Sequence, residues 1–245
     1  MDRFPFGELE AVKRILHNAK HAVFFGGAGV STESGIPDFR GNGGLYESEE
    51  ESNEYYLSRE CLTREPEKFY RFFRKNMMFP SARPNGAHLA LANLEKRGII
   101  HAVITQNVDA LHQAAGSRRV IELHGTAGRY ICTGCRREYD AAEVDHLQPI
   151  PLCGDCSAPV RPDVTLYGEP LDGFNYADAL SEVKKADVLL VGGTSLVVHP
   201  AASLLDAFSG EHLIIVNLSP TPYDALASHV IRESLSSALG RLAEE

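Results

Sequence analysis

Two cysteine pairs, Cys132-x-x-Cys135 and Cys153-x-x-Cys156, stand seventeen residues apart (136–152) in a chain of 245. Each pair brackets a short turn, Thr133-Gly134 and Gly154-Asp155, which lets two sulfurs converge on one ion at tetrahedral angles. Four thiolates leave zinc no open position, so the expectation is one structural Zn2+ per chain. Four ordinary buried cysteines, or a redox use of one pair, are the competing readings; both pairs being matched speaks for the metal. The fifth cysteine, Cys61, stands alone in a polar stretch.

Three further clusters carry chemistry. Phe25-Gly26-Gly27-Ala28-Gly29-Val30-Ser31 follows an apolar run, and such a glycine-rich turn lets backbone N–H groups approach a pyrophosphate at a helix N-terminus. The glycines alone fit a tight structural turn equally well. The usual dinucleotide fingerprint would place a third glycine at Thr32 and an acidic strand end about twenty residues on, where a glutamate-rich stretch stands instead. Thr105-Gln106-Asn107-Val108-Asp109 gathers amides and a carboxylate at a strand end, the place where open α/β sheets hold ligands, although Asn107 or Asp109 could also cap the segment through Leu111 and His112. His124-Gly125 closes the next run, Val120-Ile121-Glu122-Leu123, in the equivalent position, which makes His124 a candidate general base among ten histidines.

These clusters need elements to position them. Leu9, Val12, Ile15 and Leu16 recur at helical spacing between Phe6 and Lys20, and His21 to Phe25 is a short buried strand stopped by glycines. The alternation returns with a helix over Ala87–Arg97 closed by Gly98 and strands over Ile99–Thr105, Arg119–Leu123, Asp187–Val191 and His212–Leu218. Helical patterns over Asn175–Lys185 and Pro200–Phe208 lie between the later strands. This order predicts a parallel, doubly wound sheet covered by helices. Gly41 to Arg59, with Glu47, Glu49, Glu50, Glu51 and Glu54, is expected as a solvated loop, and Tyr130 to Pro162 breaks the periodicity with paired cysteines and prolines.

The net charge of −9, from 24 basic and 33 acidic residues, disfavours a surface built for nucleic acid and favours basic peptides as partners. No apolar run has the length of a bilayer span and the first residues lack the order of a signal peptide, so a cytoplasmic protein is expected.

Taken in order, Gly27-Ala28-Gly29-Val30-Ser31, Gly35-Ile36-Pro37-Asp38-Phe39-Arg40, Thr105-Gln106-Asn107-Val108-Asp109, Leu123-His124-Gly125, the two Cys-x-x-Cys pairs, Gly193-Thr194-Ser195-Leu196 and Val216-Asn217-Leu218 resemble the motifs of the sirtuin family from about residue 20 to 225. The resemblance implies a Rossmann-like domain (1–35, 85–128 and 164–245), a small inserted domain with a helical module and a zinc ribbon (36–84 and 129–163), and a cleft between them for NAD and an acyl-lysine peptide. It implies that Gly27, Ala28, Gly29, Asp38, Phe39 and Arg40 surround the nicotinamide ribose and phosphates, that Gln106, Asn107 and Asp109 surround the ribose and nicotinamide pocket, and that Gly193, Thr194, Ser195, Asn217 and Leu218 line the adenosine side. Asn107, Asp109 and His124 are the implied catalytic residues. In the family reaction the acyl oxygen attacks the ribose carbon as nicotinamide leaves, and a histidine matching His124 deprotonates a ribose hydroxyl. Phe39 would shield that site from water. Val164, Thr165, Leu166, Tyr167 and Gly168 resemble the segment that pairs with the substrate peptide as an added strand.

Departures from the family pattern are Gly26 for a frequent threonine, Tyr167 for a frequent phenylalanine and His199 for a frequent tyrosine. Members that prefer succinyl groups carry a Tyr-x-x-Arg pair; here the stretch reads Tyr70-Arg71-Phe72-Phe73, with Arg74 one place late, about 100° round a helix. Phe73 is therefore expected as an apolar wall, and acetyl or longer neutral acyl chains as the preferred groups. An ADP-ribosyltransferase using the same NAD site, and a non-catalytic NAD-binding or zinc-ribbon interaction module, are the alternative readings.

Overall fold

In a computed structural model of the chain, residues 6–39 and 53–244 are described. Arg40, and Glu47, Glu49, Glu50 and Glu51 of the glutamate-rich stretch, lie outside them. Six short strands form one parallel sheet: β1 (Ala22–Gly26), β2 (Ile100–Thr105), β3 (Val120–Glu122), β7 (Val188–Gly192), β8 (His212–Val216) and β9 (His229–Ile231). Their spatial order is β3-β2-β1-β7-β8-β9. The chain thus builds outward from β1 in one direction, then returns to its other side, and the reversal opens a crevice between the carboxyl ends of β1 and β7. Every residue of β1 and β7 is buried, because helices cover both faces.

On one face, α1 (Phe6–Asn18), α5 (Gly86–Lys96) and α8 (Leu235–Ala243) bury Val12, Leu16, Leu91, Leu94 and Leu239 against Phe24, Val103, Leu190 and Ile214. On the other, α7 (Gly173–Lys185) and a 3-10 turn over Ala202–Ala207 cover Val23, Phe25, Ile104, Leu189 and Ile215. The alternation of inward and outward side chains along each strand supplies both clusters.

The segment expected as a helix over Pro200–Phe208 is wound more tightly: Ser203 N–H donates to Pro200 and Leu204 N–H to Ala201, three residues back. The solvated-loop expectation for Gly41–Arg59 fails at its far end. Asn53–Tyr56 forms α2, and Ser58 caps α3 (Arg59–Arg64) by accepting from Cys61 N–H. Tyr56 and Leu57 belong to an apolar cluster, with Tyr56 stacked 4.9 Å from Phe72, and that burial outweighs the polar composition.

Phe72 sits on α4 (Pro66–Asn76), which starts with proline at its first turn and carries Arg74 and Lys75 in its last, both suited to those ends. Its apolar face (Phe69, Tyr70, Phe72, Phe73) packs on a second, antiparallel sheet of β4 (Gly125–Cys132), β5 (Glu138–Asp140) and β6 (Val160–Val164), in the order β5-β4-β6. Sequence periodicity hid this sheet for two reasons. β5 has three residues, and the register of β4 on β6 shifts between Thr126 and Tyr130, which breaks the two-residue alternation. Among the described residues no helix is long and apolar enough to cross a membrane.

Candidate active site

The four paired cysteines converge at the end of the small sheet, their sulfurs all within 4.8 Å of one another. Cys132 Sγ lies 3.4 Å from Cys156 Sγ, and Cys135 Sγ 3.6 Å from Cys153 Sγ. Tetrahedral zinc with bonds of about 2.3 Å requires sulfur edges of about 3.8 Å, so the donor set and its spacing fit that ion. The two turns repeat one geometry. After each second cysteine comes a left-handed residue, Arg136 (φ 66°) and Ser157 (φ 59°), whose N–H donates to the carbonyl of the first cysteine of its pair. Gly134 and Cys135 N–H groups also point at Cys132 Sγ. The hydrogen bond from Tyr139 Oη to Cys153 Sγ, 3.0 Å, holds that thiol down at about 6, which favours the thiolate a metal needs.

The remaining expected residues line a single cleft of about 860 Å³ above the carboxyl ends of β1, β2 and β7. Gly27, Ala28, Gly29, Asp38, Phe39, Gln106, Asn107, Asp109, His124, Val164 to Gly168, Gly193, Thr194, Ser195, Asn217 and Leu218 all face it, leaving Arg40 as the one expected contact outside the described residues. That volume lies toward the upper end of the range of about 300–1,000 Å³ for ligand clefts, which suits an extended dinucleotide.

The glycine turn after β1 has a packing reason as well as a ligand one. Gly29 N–H donates to Gly193 O at 2.8 Å, and a Cβ on Gly29 would stand 2.8 Å from Gly193 Cα. A Cβ on Gly27 would press on Thr194 at 2.9 Å. The first turns of the two halves of the sheet therefore touch at the switch point, which only residues without side chains allow.

Below this contact the polar side chains form one chain of hydrogen bonds. Ser31 Oγ donates to Asp109 Oδ2 at 2.6 Å, accepts from Asn107 Nδ2 at 3.1 Å, and lies 3.5 Å from His88 Nε2. His88 Nδ1 lies 3.3 Å from Asn85 N and 3.1 Å from Asn85 Oδ1, so the ring is anchored to the start of α5 while Nε2 faces Ser31. Asp109 also caps the next turn, its Oδ1 accepting from Leu111 N–H, so it serves both readings given above. Burial lowers the affinity of His88 for a proton, against the pull of Asp109, and drives fully enclosed His112 beside it down to about 3. Both rings are neutral at pH 7.

Sequence reading missed Ser31 and His88 as parts of this network. The signals were present: Ser31 ends the glycine motif, and Asn85-x-x-His88 is a helix start in which each side chain caps the other's backbone.

His124 stands between β3 and β4. Its Nδ1 lies 2.9 Å from Gln106 O, and a carbonyl only accepts, so Nδ1 bears the proton and Nε2 keeps a free lone pair. Burial pushes its pKa below the ordinary histidine value, partly offset by that carbonyl. The ring is thus an oriented neutral base. Gln106 itself is tied to Thr194 Oγ1 at 3.1 Å, linking the base to the far side of the cleft.

Phe73, 1% exposed, lines the cleft beside Met77 and Phe79. Tyr70 and Arg74 face elsewhere: Tyr70 Oη donates to Val160 O at 2.9 Å, and Arg74 donates to Gln148 O and Pro149 O.

Comparison with known proteins agrees with this layout. The sequence model of the Sir2 family matches residues 27–200. The chain belongs to the Sir2 family. Among Sir2-like relatives, an NAD-dependent protein deacetylase of Clostridium tetani is 47% identical over 238 residues, spanning 96% of each chain, and one of Cutibacterium acnes is 46% identical over 94% of this chain and 95% of its own. Two solved structures share this Sir2 fold: a Sir2 protein with a p53 peptide and NAD+ (TM-score 0.87, 39% identity, 96% of each chain) and one bound to a propionylated peptide (TM-score 0.87, 38% identity, 96% of this chain and 97% of that one).

Proposed function

We propose that this Sir2-family chain is an NAD-dependent protein-lysine deacylase that moves the acyl group from lysine to ADP-ribose and releases nicotinamide. The observation that carries this reading is the oriented neutral His124 in the same cleft as Asn107 and Asp109. NAD supplies the ribose that receives the acyl group and the nicotinamide that leaves.

The chain's own groups do the rest. His124 Nε2 accepts the proton of a ribose hydroxyl, and the Gln106 carbonyl steadies the imidazolium that forms. Ser31 holds Asn107 and Asp109 in fixed directions before any ligand arrives, so they need not reorganise during reaction. Gly27, Ala28 and Gly29 flank the phosphates, together with Asp38 and Phe39, while Gly193, Thr194, Ser195, Asn217 and Leu218 take the adenosine side. Phe39 keeps water from the reacting carbon.

The peptide pairs with Val164, Thr165, Leu166, Tyr167 and Gly168 as an added strand. Among the described lining residues Glu33, Asp38, Asp109, Glu169 and Glu233 are acidic and none is lysine or arginine, which suits lysine-bearing, acylated peptides. Phe73 with Met77 makes an apolar wall, while Tyr70 and Arg74 are engaged elsewhere, so acetyl and longer neutral acyl groups are accepted ahead of succinyl. Cys132, Cys135, Cys153 and Cys156 hold one structural zinc, and thiols reserved for a metal suit a reducing cytoplasm. The division into a large domain (1–35, 85–128, 164–245) and a small one (36–84, 129–163) belongs to the same reading.

The test is to incubate an acetyl-lysine peptide with enzyme and NAD and weigh the peptide. Loss of the acetyl mass with appearance of acetylated ADP-ribose is the expected result. A peptide that keeps its acetyl group and gains ADP-ribose would establish ADP-ribosyl transfer instead.

A further inference from the structure

A half-buried ion pair beside the small sheet joins Glu169, in the cleft lining, to a residue outside the machinery described so far. Arg161, on β6, does not line the cleft, yet its guanidinium grips the main chain beside it. Nη1 and Nη2 contact Glu169 Oε1 and Oε2 at 2.6 and 2.9 Å, a bidentate pair with side chains only 22% and 18% exposed. Nη2 also donates to Val164 O at 2.8 Å, and Nε donates to Pro162 O at 3.3 Å. Glu169 Oε2 in turn accepts from Leu166 N–H at 3.0 Å. Burial alone would raise the Glu169 carboxyl, but Arg161 and the Leu166 N–H hold it below its ordinary value.

The pair therefore fixes a carbonyl and an amide inside 164–168, the segment assigned to pair with substrate. Other tethers hold the same segment from other sides. Thr165 N–H donates to His124 O, and Tyr167 exchanges hydrogen bonds with Leu57 and Arg59. Gly168, at φ 83°, turns the chain so that Glu169 N–H returns to Leu166 O and its carboxylate reaches Arg161.

We propose that Arg161 is a positioning residue for the acyl-lysine peptide: through Glu169 and Val164 it holds 164–168, the end of β6 and the turn that follows, in one preformed conformation, so that the ordering cost of peptide binding is met during folding. The proposal rests on the substrate role given to 164–168 above. Pre-organisation of this kind acts on binding and leaves the chemistry alone. The tether from Thr165 to His124 persists without Arg161, so the base keeps its place.

The experiment compares wild type, Arg161→Gln and Arg161→Lys, each checked for zinc content and melting temperature. It measures binding of a labelled acetyl-lysine peptide directly, by polarisation, alongside KM and kcat for peptide and for NAD. The expected result for Arg161→Gln is peptide Kd and KM raised about tenfold, kcat within about twofold and KM for NAD unchanged. Arg161→Lys, which keeps the charge without the two-point grip, shows a smaller loss of the same kind and covers a failure of Arg161→Gln to fold. Unchanged peptide affinity, or equal weakening toward peptide and NAD, would overturn the proposal. A wild type that binds the peptide without removing its acyl group would overturn the deacylase reading while leaving Arg161 to be judged on affinity; a wild type that binds no peptide would overturn both.

Discussion

Replacing His124 by alanine separates the base from everything else in the cleft. The His124 ring makes one hydrogen bond, Nδ1–H to Gln106 O, and the residue is only half-buried, so truncation leaves one carbonyl short of a partner in a site that water can reach. That costs about 1 kcal/mol of stability, the lower end of the range for an unsatisfied group. The Gly29–Gly193 contact, the Ser31 network and the zinc cluster share no atom with the ring, so fold and metal content should persist. Loss of an oriented general base lowers turnover about 10²- to 10⁴-fold, or about 3–5 kcal/mol in the barrier. The assay follows acetyl-peptide turnover by mass with saturating NAD, zinc content and melting temperature being recorded on the same sample. A variant that keeps its zinc and remains within tenfold of wild type would refute the assignment of the base.

The pH profile offers a second check. Because partial burial lowers the His124 pKa, the neutral form persists below the ordinary histidine value of about 6.5, so the acid limb of kcat/KM should fall under that pH; a limb at or above it would contradict the half-buried, neutral ring. His88 and His112 also have depressed pKa values, so their contribution to stability is full above about 6.5 and is lost as pH falls toward the folded values, about 3 for His112; denaturant midpoints should drop between pH 7 and 5, and a flat profile would argue against two buried neutral rings. Cys132→Ala removes one of four thiolates and should release zinc and loosen the small sheet, which metal analysis and limited proteolysis would detect; a stable, zinc-loaded variant would contradict the four-thiolate site. Acetyl- and propionyl-lysine peptides should turn over well ahead of succinyl-lysine ones, and comparable rates would show that Phe73 does not set the acyl wall.

Much of this was legible in the residues because the signals are local. Buried parallel strands are short β-branched or leucine-rich runs, and β1, β2, β7 and β8 fall within a residue or two of the expected spans. Two Cys-x-x-Cys turns announce a metal before any fold is known. The motifs at strand ends converge because the parallel sheet brings all such ends to one edge, which is why residues from Gly27 to Leu218 share one cleft.

What stayed hidden depends on distant partners. The small antiparallel sheet has a three-residue strand and a shifted register, so no period betrays it. Tyr56 and Leu57 look solvated beside glutamates until Phe72 is seen to cover them. Ser31 and His88 lie 57 positions apart, and only the packing of α5 under the glycine turn joins them. The second role of Gly29, making room for Gly193, needed the two halves of the sheet to be placed side by side.

The measurement closest to the central claim is the stoichiometry of the reaction itself. With an acetyl-lysine peptide and NAD, nicotinamide release and deacetylated peptide should rise together, one for one, and both should vanish when either substrate is omitted. Nicotinamide released without matching loss of acetyl groups from the peptide would contradict the assignment of this cleft to deacylation.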